Sequence, residues 1–177
     1  MRGDEAVEYF VVGHDSRLDP IGRNILFSDR VLGGFATAEE YEVAFVREGR
    51  KLEYRSVIEL PVFLISEEVR EILGQYESNL SYKTVLVTDQ ATYAQAHFCL
   101  IDVPQVDCIS RTHSVIERGI IKQVVLDEGK INGHRMFWAA ELPFPGLIVR
   151  LDVAEALLRH SMYGLSIRRI LTRAGEV

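Results

Sequence analysis

The sequence predicts an α+β fold: mostly antiparallel or mixed sheet, with two short amphipathic helices packed on it. Three observations carry that prediction. Short runs such as Tyr41 to Arg47 alternate with the period-two rhythm of a strand. Two segments, entered through Pro61 and Pro145, read as an apolar strand followed at once by an amphipathic helix. Glycine, proline and asparagine punctuate the chain between these runs, as turns require.

A chain of 177 residues is long enough for a single domain with a proper core, or for two lobes, about 1–103 and 104–177, each holding one strand-then-helix unit. With 47% hydrophobic and 26% charged residues it is neither disordered nor membrane-spanning by composition. No window approaches the roughly 18 apolar residues of a membrane span. The N-terminal stretch MRGDEAVEYFVVGHD has acids before a short apolar run, unlike a secretory signal. Two cysteines, Cys99 and Cys108, make a poor disulfide framework, so the expected setting is the reducing cytoplasm.

Val7 to Val12 is the first expected strand and Asn24 to Ser28 a weaker second, with Gly33-Gly34 read as a turn because it lacks any phosphate-binding spacing. Tyr41 to Arg47 and Lys51 to Val57 predict a hairpin reversing at Glu48-Gly49-Arg50, with one face of the first strand more buried. Leu60 to Ile65 predicts an apolar strand. Ser66 follows as a helix cap, Glu67 and Glu68 sit in the first turn, and Val69, Ile72, Leu73 and Tyr76 form one buried stripe. Tyr82 to Val87 and Ala96 to Ile101 are further strands, the second ended by Pro104. Val106 to Arg118 is polar and aperiodic, a candidate functional loop.

In the last third, Ile120 to Leu126 predicts a strand, Asn132-Gly133 a reversal, and His134 to Ala139 a second strand returning alongside. Leu147-Ile148-Val149 predicts a strand covered on both faces. Asp152, with Glu155 three residues on, predicts the cap of a helix that presents Val153, Ala156, Leu157 and His160 on one side and stops near Gly164. Aligning Pro61 with Pro145 sets Phe63-Leu64-Ile65 against Leu147-Ile148-Val149 and Val69 and Leu73 against Val153 and Leu157, a likeness of form with few identities, as a recurrent local solution without duplication gives.

Residues suited to catalysis are scattered. None of the five histidines is paired with another at i+4, Cys99, Cys108 and His113 lack a zinc spacing, and no G-x-S-x-G elbow is present. The expectation is a protein without catalytic residues, metal or cofactor. Charge is more informative. Residues 1–90 hold 17 acids against 10 bases, residues 91–177 hold 9 against 10, and the net charge is −6. An acidic half repels nucleic acid and steers a basic protein partner.

The run Val124 to Ile131, then Met136-Phe137, then Leu147 to Val149 with its helix and Gly164-Leu165, resembles the immunity-protein family of bacterial polymorphic-toxin systems. Pro61 to Leu73 is similar to that family's strand, serine and amphipathic helix, and Val106-Asp107 with Ser114 resembles its central motif. The likeness spans about Leu60 to Ile167. The chain departs from the pattern at Trp138, at Arg150 or Leu151 where a serine cap is expected, at Ile167 and at Ser110. The resemblance implies a cytoplasmic, non-enzymatic protein that binds a cognate toxin and neutralises it by stoichiometric occlusion. If that toxin is a basic nuclease, the acidic half is the face to meet it, through Glu39, Glu40, Glu42, Glu67, Glu68 and Glu71. Two alternatives are a non-enzymatic binding or scaffold module, as a homodimer built on an exposed strand edge, and a small enzyme using the Asp107 to Ser114 loop. The enzyme reading requires His113 within reach of Ser110 or Cys108, with an acid behind it.

Overall fold

The computed structural model describes residues 7–118 and 120–173, so Met1 to Ala6 of the N-terminal stretch lie outside it. In chain order come β1 (Tyr9–His14), a 3-10 turn (Ile21–Asn24), β2 (Ile25–Leu26), α1 (Asp29–Leu32), β3 (Tyr41–Val46), β4 (Val57–Ile58), β5 (Leu64–Ser66) and α2 (Glu67–Gly74). Then follow β6 (Ser81–Thr88), β7 (Gln95–Asp102), β8 (Gln105–Val106), β9 (Val115–Glu117), β10 (Ile120–Gln123) and β11 (Val125–Asp127). The chain ends with α3 (Glu128–Ile131), β12 (Met136–Ala139), β13 (Leu147–Arg150), α4 (Leu151–Leu158) and β14 (Leu165–Arg173). Among the described residues the architecture is α+β, with strands outweighing four short helices.

Among the described residues there are two six-stranded sheets, in the orders β2-β3-β6-β7-β5-β4 and β11-β14-β1-β13-β12-β8, with β9 and β10 as a separate antiparallel pair. The two sheets repeat one plan. β3 runs parallel to β6, and β7, β5 and β4 follow in antiparallel succession. Likewise β11 runs parallel to β14, followed by antiparallel β1, β13 and β12. The likeness in form of the two strand-then-helix units therefore extends, in strand order and direction, to five strands. The place that β7 fills in the first sheet is filled in the second by β1, from the other end of the chain.

Three groups of buried side chains hold this together. One lies between the halves, where Val69, Ile72 and Leu73 of α2 join Val153, Ala156 and Leu157 of α4 above Ile65, Cys99, Val12 and Val149. The second joins Val31 of α1 to Ala44, Val46, Val85, Val87 and Phe98 on the far face of the first sheet. The third sits behind the second sheet around Tyr9, Leu126, Phe137 and Ile148. At about 1.5 to 3 kcal/mol for each fully buried large aliphatic side chain, these groups outweigh any single polar contact on the surface.

Several local expectations are corrected. Lys51 to Val57 does not pair with β3, although the reversal forms and Arg50 N–H donates to Arg47 O at 3.0 Å. β6 takes one side of β3, and β2 takes the other at Phe45 and Val46, the end next to the reversal. The chain is instead drawn toward the other half, where Ser56 N–H donates to Tyr163 O at 2.7 Å and the buried Arg55 packs over the Tyr163 ring. His134 to Ala139 does not return beside the preceding strand either. Asp127 accepts the Gly129 amide at 3.1 Å, α3 forms, and Asn132 at φ +52 ends it, so β12 reaches β13 and β8. Finally, α4 begins one residue before Asp152, with Arg150 in the cap position and no side-chain cap bond.

Candidate partner-binding surface

β3 alternates, but with the opposite faces to those its side chains suggest. Glu42, Ala44 and Val46 are 6%, 0% and 8% exposed, whereas Tyr41, Val43 and Phe45 are 81%, 49% and 39% exposed. The register shows what this outward face belongs to. Tyr41, Val43 and Phe45 lie beside Thr84, Leu86 and Thr88 of β6, and on the same face Thr84 lies beside Cys99 and Tyr82 beside Ile101. Cys99 and Ile101 are covered by α2, so one face of the sheet is roofed over β5 and β7 and open over β2, β3 and β6. Leu26, Phe45, Val43, Tyr41, Leu86 and Tyr82 make up the open part.

Its borders are polar. The Arg70 guanidinium of α2 stands 4.4 Å from the Tyr82 ring centre, and Glu71 pairs with it at 3.5 Å. Toward the start of β3, Phe35, Glu40, Tyr41 and Tyr82 line a depression of about 650 Å3. An aromatic and aliphatic patch rimmed by charge has the anatomy of a protein-binding surface.

The six sequence-predicted acids fall into different settings. Glu40 and Glu67 are exposed at opposite borders of the open face, and Glu71 shares the α2 border with Glu67. Glu39 is exposed and paired with Arg30 at 3.1 Å. Glu68 accepts from Tyr54 Oη at 3.2 Å, on the β4 side of α2. Glu42 is a correction: it is buried, accepting the Glu39 amide at 2.9 Å and the Ser28 hydroxyl at 3.3 Å, with Arg30 Nε at 3.5 Å. It organises the turn into β3 and has no surface to offer a partner. The large apolar residues of the same strand were missed as binding candidates. Their exposure depends on which face α1 covers, which alternation alone does not specify.

In the aperiodic loop, Ser110 Oγ and His113 Nδ1 are 3.0 Å apart, and Ser110 Oγ also accepts the His113 amide at 3.3 Å. This is a serine-capped turn, explained by the i to i+3 spacing. Among the described residues no carboxylate hydrogen-bonds His113, and the neighbouring Arg111 pairs with Glu141 at 2.9 Å. Cys108 is buried, and burial pushes its thiol up to about 11, which disfavours the thiolate near neutral pH. Ser114 is committed to the backbone: its hydroxyl receives the Val125 amide at 3.0 Å, which ties the loop to β11.

Among the described residues no group of three His, Cys, Asp or Glu side chains is placed to hold a metal ion, and no helix is long and apolar enough to cross a membrane. No protein-family model matches this chain, and no curated protein matches it in sequence.

Proposed function

We propose that this protein acts by binding another protein through the open face of its first sheet. Further, as the family resemblance implies, we propose that the partner is a toxin which the complex holds inactive. The observation that carries the proposal is the outward stripe of Tyr41, Val43 and Phe45 on a strand whose opposite side is fully packed. Leaving three large apolar side chains in water on one regular strand is costly unless a partner covers them. The acids at the borders, Glu40, Glu67 and Glu71, favour a basic partner and fast encounter, while the apolar stripe sets the lifetime of the complex. On this view the chain occludes and turns nothing over.

A homodimer is the second reading, favoured by one observation: β2 pairs only with Phe45 and Val46, so among the described residues the outer edge of Tyr41 to Ala44 has no paired strand. Such an edge accepts an added strand. Co-purification with the product of the adjacent reading frame, combined with the sedimentation mass of the isolated chain, separates the two. The proposal expects a monomer alone and a 1:1 complex with the neighbour's product, lost in Tyr41→Glu. A stable dimer that Tyr41→Glu dissociates, with no complex formed, would establish the second reading instead.

A further inference from the structure

Where the two sheets meet, a groove of about 370 Å3 opens between Phe35, Phe63, Trp138, Leu142 and Phe144, with Asp102 on its wall. Phe63 and Trp138 pack edge to face, ring centres 5.0 Å apart at 77°, which fixes that side of the groove. Asp102, at the end of β7, also lines the adjoining depression that shares Phe35 and Trp138. The aromatic walls are apolar, and the carboxylate among them is exposed.

Among the described residues, Asp102 has no ion-pair partner. Two cations pack on the aromatic lining, and among the described residues neither pairs with Asp102. The Lys83 ammonium donates to Phe35 O and Ala38 O at 2.9 and 2.6 Å, 4.6 Å from the Phe35 ring centre. Arg168 packs over Phe144 at 5.3 Å. A neutral apolar plug would bury the Asp102 carboxylate without compensation, which is expensive. A planar guanidinium both stacks on aromatic rings and receives a carboxylate in a two-pronged pair, and its three-methylene stem suits apolar walls. The volume fits one long side chain, with room to spare for water.

We infer that this groove is the receptor for one arginine side chain of the partner, with its stem against Phe63 and Trp138 and its guanidinium on the Asp102 carboxylate. The inference rests on the proposal that the protein works by binding another protein, and it adds an anchor site separate from the open sheet face. Trp138, the single tryptophan of the chain, reports on the groove without any partner present.

The test is a titration of the isolated full chain with N-butylguanidinium, followed by Trp138 fluorescence, beside the neutral isostere N-butylurea. We expect a saturable change with the guanidinium and a response about tenfold weaker with the urea. Asp102→Asn should remove that preference, while Asp107→Asn, an exposed carboxylate outside the groove, should keep it. Equal responses to the two probes, no saturable response to the guanidinium, or an undiminished preference in Asp102→Asn would each overturn the inference. None of these outcomes depends on the sheet face, so the groove and the open face are judged separately.

Discussion

Ser66 and Arg150 occupy the same point in the two halves of the molecule. Ser66 lies opposite Phe98 and donates its amide to Ser56 O at 2.9 Å; Arg150 lies opposite Tyr9 and donates its amide to Arg135 O at 2.8 Å. Each is the residue before a helix, yet they hold it differently. The Ser66 hydroxyl accepts the Val69 amide at 3.3 Å, whereas Arg150 gives no side-chain cap. Ser66→Ala should therefore lower stability by about 0.5 to 2 kcal/mol, the usual worth of a helix cap. Urea denaturation checks this through a lower midpoint at unchanged slope.

Arg150 grips Asp152 instead, Nε to Oδ1 at 2.9 Å and Nη2 to Oδ2 at 2.6 Å. Hydrogen bonding from Arg150 holds the Asp152 carboxyl below its ordinary value, against partial burial that raises it. A carboxylate depressed on folding contributes stability that is present above its unfolded pKa, about 4, and is lost as pH falls through the lower folded value. The stability gap between the native chain and Asp152→Asn should thus be full at neutral pH and close as pH drops below about 4. Denaturation midpoints measured across that range test it, and a gap that stays constant would contradict it.

Of the acids flagged by their clustering, Glu42 should behave unlike the others. Glu42→Ala strips acceptors from the Glu39 amide and the Ser28 hydroxyl, and should cost about 1 to 3 kcal/mol. Glu40→Ala and Glu67→Ala, both exposed, should shift stability by no more than about 0.5 kcal/mol. Thermal melts of the three variants provide the comparison.

Burial pushes the thiols of Cys99 and Cys108 up to about 11 each. In the folded chain neither should react appreciably with a maleimide near neutral pH, and both should react once the chain is unfolded in denaturant. Mass spectrometry of the labelled protein counts the adducts directly.

Much of this fold is legible in the sequence where a segment's fate is local. The Ser66 cap, the Val69, Ile72 and Leu73 stripe, and the long strands at Tyr82 and Ala96 follow from spacing alone. What the sequence leaves open falls where distant contacts decide. Nothing local distinguishes Tyr41, Val43 and Phe45 from Ala44 and Val46 as the packed side of β3; the packing of Val31 and Phe98 against Ala44 and Val46 does. Nor does any pattern near Val11 assign β1 to a sheet whose other strands begin about a hundred residues later. The repeated plan of the two sheets is carried by strand direction and register, and these leave little trace in residue identity.

The central claim is that Tyr41, Val43 and Phe45 form the contact face for a protein partner. Calorimetric titration of the adjacent reading frame's product into the native chain and into Val43→Glu tests it most directly, with circular dichroism confirming that the variant is folded. The account predicts 1:1 binding by the native chain and a loss of about 2 kcal/mol or more, roughly thirtyfold in Kd, in the variant. Native affinity in a folded Val43→Glu chain would contradict it.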